Sequence, residues 1–97
     1  MVQNVISFSV NAGGQLKIFE KPRVLSRIFF GISVMVGTDV WRRSRLSFGD
    51  PQFSSYYNLD GPYNHFEVKG VGISQEDIWL RNSSGIALNY SAIEVLA

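Results

Sequence analysis

The stretch Ile28-Phe29-Phe30-Gly31-Ile32-Ser33-Val34-Met35-Val36 decides how this sequence folds. Ile28, Phe30, Ile32, Val34 and Val36 alternate without a break with Phe29, Gly31, Ser33 and Met35. Successive strand side chains point to opposite faces, whereas a helix repeats its apolar positions every three to four residues. The run is therefore a strand with one wholly apolar face. Phe29 and Met35 make the second face partly apolar, as in a central strand or one whose outer face meets a partner. The run is far shorter than the ~20 residues that a membrane-spanning helix needs.

The same period extends in both directions. Ile6, Phe8 and Val10 alternate with Ser7 and Ser9. Leu16 and Ile18 follow Asn11-Ala12-Gly13-Gly14, a turn signal that predicts a first hairpin. Phe66 and Val68 alternate with Glu67 and Lys69, and Ile78 and Leu80 with Trp79 and Arg81. Ile86, Leu88 and Tyr90 share a face, but Ile93 and Val95 fall on the opposite phase. That slip near Ser91-Ala92 predicts a bulge or kink in the last strand. Turn residues at Lys21-Pro22, Gly37-Thr38-Asp39, Gly49-Asp50-Pro51, Asp60-Gly61-Pro62 and Ser83-Ser84-Gly85 separate the runs.

Eight strands are predicted, at roughly 4–10, 15–21, 26–37, 39–48, 53–57, 64–71, 77–82 and 85–96. The one helical feature expected is a single turn at Ser74-Gln75-Glu76-Asp77, where a capping-box spacing is loosely met. The pattern predicts an all-β fold: a two-layer antiparallel β-sandwich, jelly-roll-like, forming a single domain over residues 1–97. An immunoglobulin-like topology fits almost as well, because periodicity does not give strand order.

Composition agrees with a packed domain. Of 97 residues, 45% are hydrophobic and 13% aromatic, which is ample for a core. There is no cysteine, which excludes disulfides, thiolate metal sites and cysteine nucleophiles. A net charge of +1 argues against a nucleic-acid partner and demands no membrane surface. Met1-Val2-Gln3-Asn4 lacks the basic region of a signal peptide, so none is expected.

No catalytic set emerges, and a non-enzymatic protein is expected. His65 is the only histidine, without a Gly-x-Ser-x-Gly elbow, and reads as a surface or strand-edge residue. Glu76 and Asp77 are adjacent, so on a strand they point apart and cannot face each other across a cleft. Asp50, Asn58, Asp60 and Asn64 supply oxygens, but their spacing matches no calcium loop. They read as turn residues, and no metal or cofactor is expected.

Two segments are candidates for recognition. In Trp41-Arg42-Arg43-Ser44-Arg45, strand geometry places Arg43 and Arg45 on the face of Trp41, and Arg42 with Leu46. Arginine beside an aromatic suits a protein interface or a phosphate, or serves as a solvated face that protects an edge. Phe29, Met35 and Trp79 also lie opposite or beside apolar faces. With Trp41, Arg43 and Arg45 they form the candidate partner or oligomer interface, and a homo-oligomer is expected. The second segment runs from Phe53 to His65. Its Tyr56, Tyr57, Tyr63 and His65 form a possible ligand loop, since tyrosines among Asn and Asp can stack on sugars or make adaptable protein contacts. They can equally pack on their own sandwich. Asn82-Ser83-Ser84 and Asn89-Tyr90-Ser91 match the short glycosylation pattern.

The closing segment, from Asp77-Ile78-Trp79-Leu80-Arg81-Asn82-Ser83-Ser84 through Gly85 to the alternating strand that ends at Ala97, resembles the last hairpin of small jelly-roll proteins on tailed-phage particles. Capsid cement or decoration proteins are the nearest in style. The resemblance covers about the last fifth of the chain well and transfers no functional residue. It implies a protein of the virion surface that binds a major capsid protein or another virion protein and stabilises the shell, often as a homotrimer. The alternative is a carbohydrate-binding module or lectin that uses the tyrosine loop.

Overall fold

The computed structural model describes residues 1–35, 41–61, 65–68 and 73–97, with the backbone alone at Met35 and residues 65–68. Eight strands follow in order: β1 (Val2–Val10), β2 (Gln15–Phe19), β3 (Arg27–Met35), β4 (Ser44–Phe48), β5 (Tyr57–Asn58), β6 (His65–Val68), β7 (Ile78–Asn82) and β8 (Leu88–Leu96). They form two four-stranded sheets, ordered β1-β8-β3-β6 and β2-β7-β4-β5, and every pairing is antiparallel. The described residues contain no helix.

The strand order has a simple origin. β1 pairs with β8, β2 with β7, β3 with β6 and β4 with β5. This is one long antiparallel ribbon folded back at the β4–β5 turn. Wrapping the ribbon adds the β3–β8 and β4–β7 pairings and closes two sheets over one core. The result is a jelly roll, not an immunoglobulin-like topology.

Wrapping also removes the two expected terminal hairpins. β1 and β2 lie in different sheets, as do β7 and β8. Asn11-Ala12-Gly13-Gly14 does turn, with Gly14 N donating to Asn11 O at 2.9 Å, but the turn carries the chain across the sandwich. Gly13, at φ 76°, and Gly14 are held there by Asn82, through Gly13 N to Asn82 O (2.8 Å) and Asn82 N to Gly14 O (2.9 Å). Glycine suits the left-handed backbone at this corner.

Alternation fills the core as the sequence predicts. Phe30, Ile32 and Val34 of β3 meet Leu88, Tyr90 and Ala92 of β8 on one inner face. Leu46, Ile78 and Leu80 face them from the other sheet. Phe30 packs edge-on against Phe19 and Phe48, with centroids 6.2 and 6.3 Å apart, and so joins the two layers. Burial of each such side chain contributes about 1.5–3 kcal/mol.

The expected bulge in β8 is absent. β8 keeps register with β1 from Val2↔Leu96 to Val10↔Leu88 without a shift. Its alternation simply continues inward through Ala92 to Glu94, leaving Ile93 and Val95 outside. The irregularity lies in β3, where Arg27 pairs with Leu96 but Phe29 with Val95. The extra residue pushes Ile28 outward, 50% exposed, and turns Arg27 into the interior. A second shift separates Lys17 from Phe19 in β2.

Two further expectations change. Residues 53–56 form a loop rather than strand, because Phe53 adopts φ 57° and leaves β5 only Tyr57–Asn58. Residues 74–77 form a bend, not a helical turn: Ser74 Oγ accepts Glu76 N at 3.0 Å, and Gln75 pairs with Arg27 like a strand neighbour. Its Oε1 accepts Arg27 N (2.7 Å) and its Nε2 donates to Arg27 O (2.9 Å).

Candidate functional site: the outer face of the β2-β7-β4-β5 sheet

Residues that alternate away from the core meet on the outer face of this sheet. β7 presents Trp79 and Arg81, β4 presents Arg45, and β2 presents Gln15 and Lys17. The pairings Lys17↔Trp79, Gln15↔Arg81 and Arg45↔Arg81 set them in transverse rows. The loop of residues 49–56 folds back over this face and covers Ser47, which is buried although it belongs to the outward row.

Asp50 organises that loop. Its Oδ1 and Oδ2 accept the backbone N–H groups of Gln52 and Ser54, both at 2.8 Å. Its carbonyl accepts Ser47 Oγ at 2.6 Å and Phe53 N at 3.3 Å. The backbone donors hold the Asp50 carboxyl below the usual carboxylate range, and the charge of Arg81 adds to this. The turn forces Phe53 into the left-handed region, a strain of about 1–2 kcal/mol for a residue with a Cβ. In return its buried ring lies against the Arg81 guanidinium, 4.3 Å from ring centroid to Cζ.

Three cations are laid on aromatic rings across the face. Arg81 covers Phe53, Arg45 covers Tyr56 at 4.4 Å, and the Lys17 ammonium stands 5.9 Å from the Trp79 ring centroid. Such contacts fix where the charge sits without neutralising it. Arg81 is fixed further by Gln15, whose Oε1 accepts Nε at 3.2 Å and Nη2 at 2.8 Å. Gln15 in turn donates to Pro51 O at 2.9 Å. Among the described residues neither Arg45 nor Arg81 forms a salt bridge; Lys17 pairs with Glu20 at 3.6 Å. Arg45 and Arg81 thus stand directly opposite each other on neighbouring strands, a like-charge pairing that disfavours the sheet.

The predicted interface residues are distributed over several surfaces. Arg45 and Trp79 belong to this face, and Arg43 and Trp41 are exposed where the chain enters β4. Phe29 lies on the outer face of the other sheet, in a shallow groove with Val5 and Ile93. Met35 pairs with Asn89 in that sheet, and its side chain lies outside the described residues. Arg42 alternates inward with Leu46 as expected, and it is buried beside Gly61, with which it bridges (N to O, 2.9 Å).

The predicted ligand loop is also divided. Tyr56 and Tyr57 are exposed, but the Tyr56 ring is covered by Arg45 and the Tyr57 ring packs against Phe48 with centroids 5.5 Å apart. Tyr63 and the His65 side chain lie outside the described residues, as does Asn64; the backbone of His65 pairs with Val34. Among the described residues no three of His, Cys, Asp and Glu cluster as a metal site, and no helix is long and apolar enough to cross a membrane. Of the two glycosylation-pattern asparagines, Asn82 is fully buried and Asn89 is exposed.

Lys17, Phe53 and Arg81 were not legible as site residues. Period two places Arg81 beside Trp79 in sequence, but only cross-strand register sets it against Arg45. The arrangement can dock a surface that carries carboxylates or other anions. No protein-family model, curated protein or solved structure matches this chain.

Proposed function

We propose that this protein is a non-enzymatic structural module that docks on an acidic protein surface, and that its setting is a virion. There it would serve as a capsid cement or decoration protein that stabilises the shell. The observation that carries the docking is the opposed pair Arg45 and Arg81, each held on an aromatic ring and neither in a salt bridge among the described residues. Two guanidinium groups fixed side by side match carboxylates in a partner, and Arg with aromatic residues dominates the energy of protein interfaces. The jelly roll supports the virion setting by analogy of fold alone, since capsid proteins and lectins both use it.

The covered aromatic rings favour this reading over the lectin one. A sugar stacks on a free ring face, and Arg45 occupies one face of Tyr56. The test is a photo-crosslinking amino acid placed at Tyr56 or Trp79 in the source particles or cells. Cross-links to a capsid protein, lost on Arg45→Glu, are expected. A glycan-array signal that survives Arg45→Ala but disappears with Tyr57→Ala would replace the proposal with a lectin.

A further inference from the structure

Among the described residues the two sheets have four edges, at β1, β6, β2 and β5. Exposed edges invite pairing with other chains, and proteins blunt them by shortness, charge, proline or a bulge. Three of these edges are blunted. β5 has two residues. β2 has five, carries Lys17 and is broken by the shift between Lys17 and Phe19. β6 carries Glu67. β1 differs in every respect. It has nine residues, Val-Gln-Asn-Val-Ile-Ser-Phe-Ser-Val, without a charge or a proline. Its register with β8 is unbroken over its whole length. Half of its backbone N–H and C=O groups point toward β8, and the rest point away from the sheet.

We infer that β1 is an assembly edge, and that its partner is β1 of a second copy of this chain, paired antiparallel about a two-fold axis at Val5. Three features select that occupant. An uncharged strand pairs with itself without like-charge repulsion in any register. A two-fold contact must be self-complementary, and a centre at Val5 sets Val2 against Phe8 and Gln3 against Ser7. Finally, Val5 is 63% exposed and begins an apolar groove that continues through Ile93 to Phe29. Pairing at Val5 joins the two grooves into one stripe and shields both valines, and such an apolar match sets register. Each four-stranded sheet would then continue into its copy. This dimer does not depend on the guanidinium face, which belongs to the other sheet.

Sedimentation of the full chain at micromolar concentration tests the inference. The wild type should sediment as a dimer. Val5→Lys should give a monomer with unchanged far-UV circular dichroism and a melting temperature that no longer rises with protein concentration, because Val5 lies outside the core. Lys17→Glu, on the blunted edge, should leave the dimer intact. Amide exchange across residues 2–9 should slow as concentration rises. A monomeric wild type, or a Val5→Lys variant that remains dimeric, overturns the inference. Loss of the dimer with cross-linking from Tyr56 intact, or the reverse, separates this inference from the proposed docking function.

Discussion

Arg27 of β3 and Glu94 of β8 form an ion pair inside the sandwich, with Nε and Oε2 2.8 Å apart and both side chains almost wholly buried. Arg27 also donates to the carbonyls of Ser74 (2.6 Å), Glu76 (2.9 Å) and Glu20 (3.0 Å). Glu94 Oε1 accepts Asn4 Nδ2 at 3.0 Å. One guanidinium thus ties β3 to β8, to the end of β2 and to the approach to β7. Removing it strands a buried carboxylate. Arg27→Met should destabilise the domain by about 3–5 kcal/mol, read from urea unfolding. Arg27→Met with Glu94→Leu should recover part of the loss, since no uncompensated charge then remains. A single mutant within about 1 kcal/mol of wild type would show that water reaches Glu94.

Tyr90 links the two sheets through its hydroxyl, 2.7 Å from Ser44 Oγ. Burial pushes its pKa up to about 12, against smaller opposing effects of the Ser44 hydrogen bond and of Arg42. In the unfolded chain tyrosine titrates near ~10. Between these values the folded state binds the proton more tightly, so stability is full below the lower value and falls as pH rises through the window. Tyr90→Phe should remove that alkaline slope while costing about 1 kcal/mol at neutral pH for the lost hydrogen bond. Melting temperature against pH for the two proteins checks this; parallel curves would refute it.

Arg45 and Arg81 set stability against docking. Arg45→Glu places opposite charges across β4 and β7 and should stabilise the fold by about 0.2–1 kcal/mol. The same change should abolish cross-linking to an acidic partner. Loss of both stability and partner would instead show that the stacking of Arg45 on Tyr56 holds the loop.

Asn82 acts as a clasp at the sandwich corner. Its Nδ2 donates to Val10 O (2.9 Å) and Ile86 O (2.8 Å), and its Oδ1 accepts Ser84 N (2.9 Å). Asn82→Asp keeps the shape but, when ionised, has no donor for those carbonyls. A loss of about 1–3 kcal/mol is expected for each carbonyl left without a partner in the interior. Part of it should return below the aspartate pKa, where the protonated acid donates again. Unfolding at neutral and acidic pH measures both effects.

Asp50 fixes the loop over the arginine face. Because its carboxyl is held below the usual range, its contribution is present above that range and fades as pH falls through the lowered value. Asp50→Ala should speed proteolysis within residues 49–56 while amide exchange in β3 and β8 stays slow. Equal cleavage of mutant and wild type would dissociate the carboxylate from loop order.

Most of the strands were legible in the alternation alone, although the loop at 53–56 and the bend at 74–77 were not. The alternation through Phe30, Ile32 and Val34, and through Ile78 and Leu80, fixed which residues face inward, because period two leaves a strand only one way to bury its apolar side. The inward turn of Arg42 with Leu46 was legible for the same reason. Whatever depends on which strand lies beside which emerged only once the chain was folded. The phase slip at Ile93 was visible, but an inward glutamate made by unbroken alternation and a real bulge look alike until Arg27 is seen beside Glu94. The turn at Gly13-Gly14 was visible, but a turn residue does not state whether the chain returns in the same sheet or crosses to the other. The opposed Arg45 and Arg81, and the contrast between β1 and the three blunted edges, exist only once the ribbon has wrapped. Local alternation is set by backbone geometry within one strand, whereas register and edge position are set by pairings between residues distant in sequence.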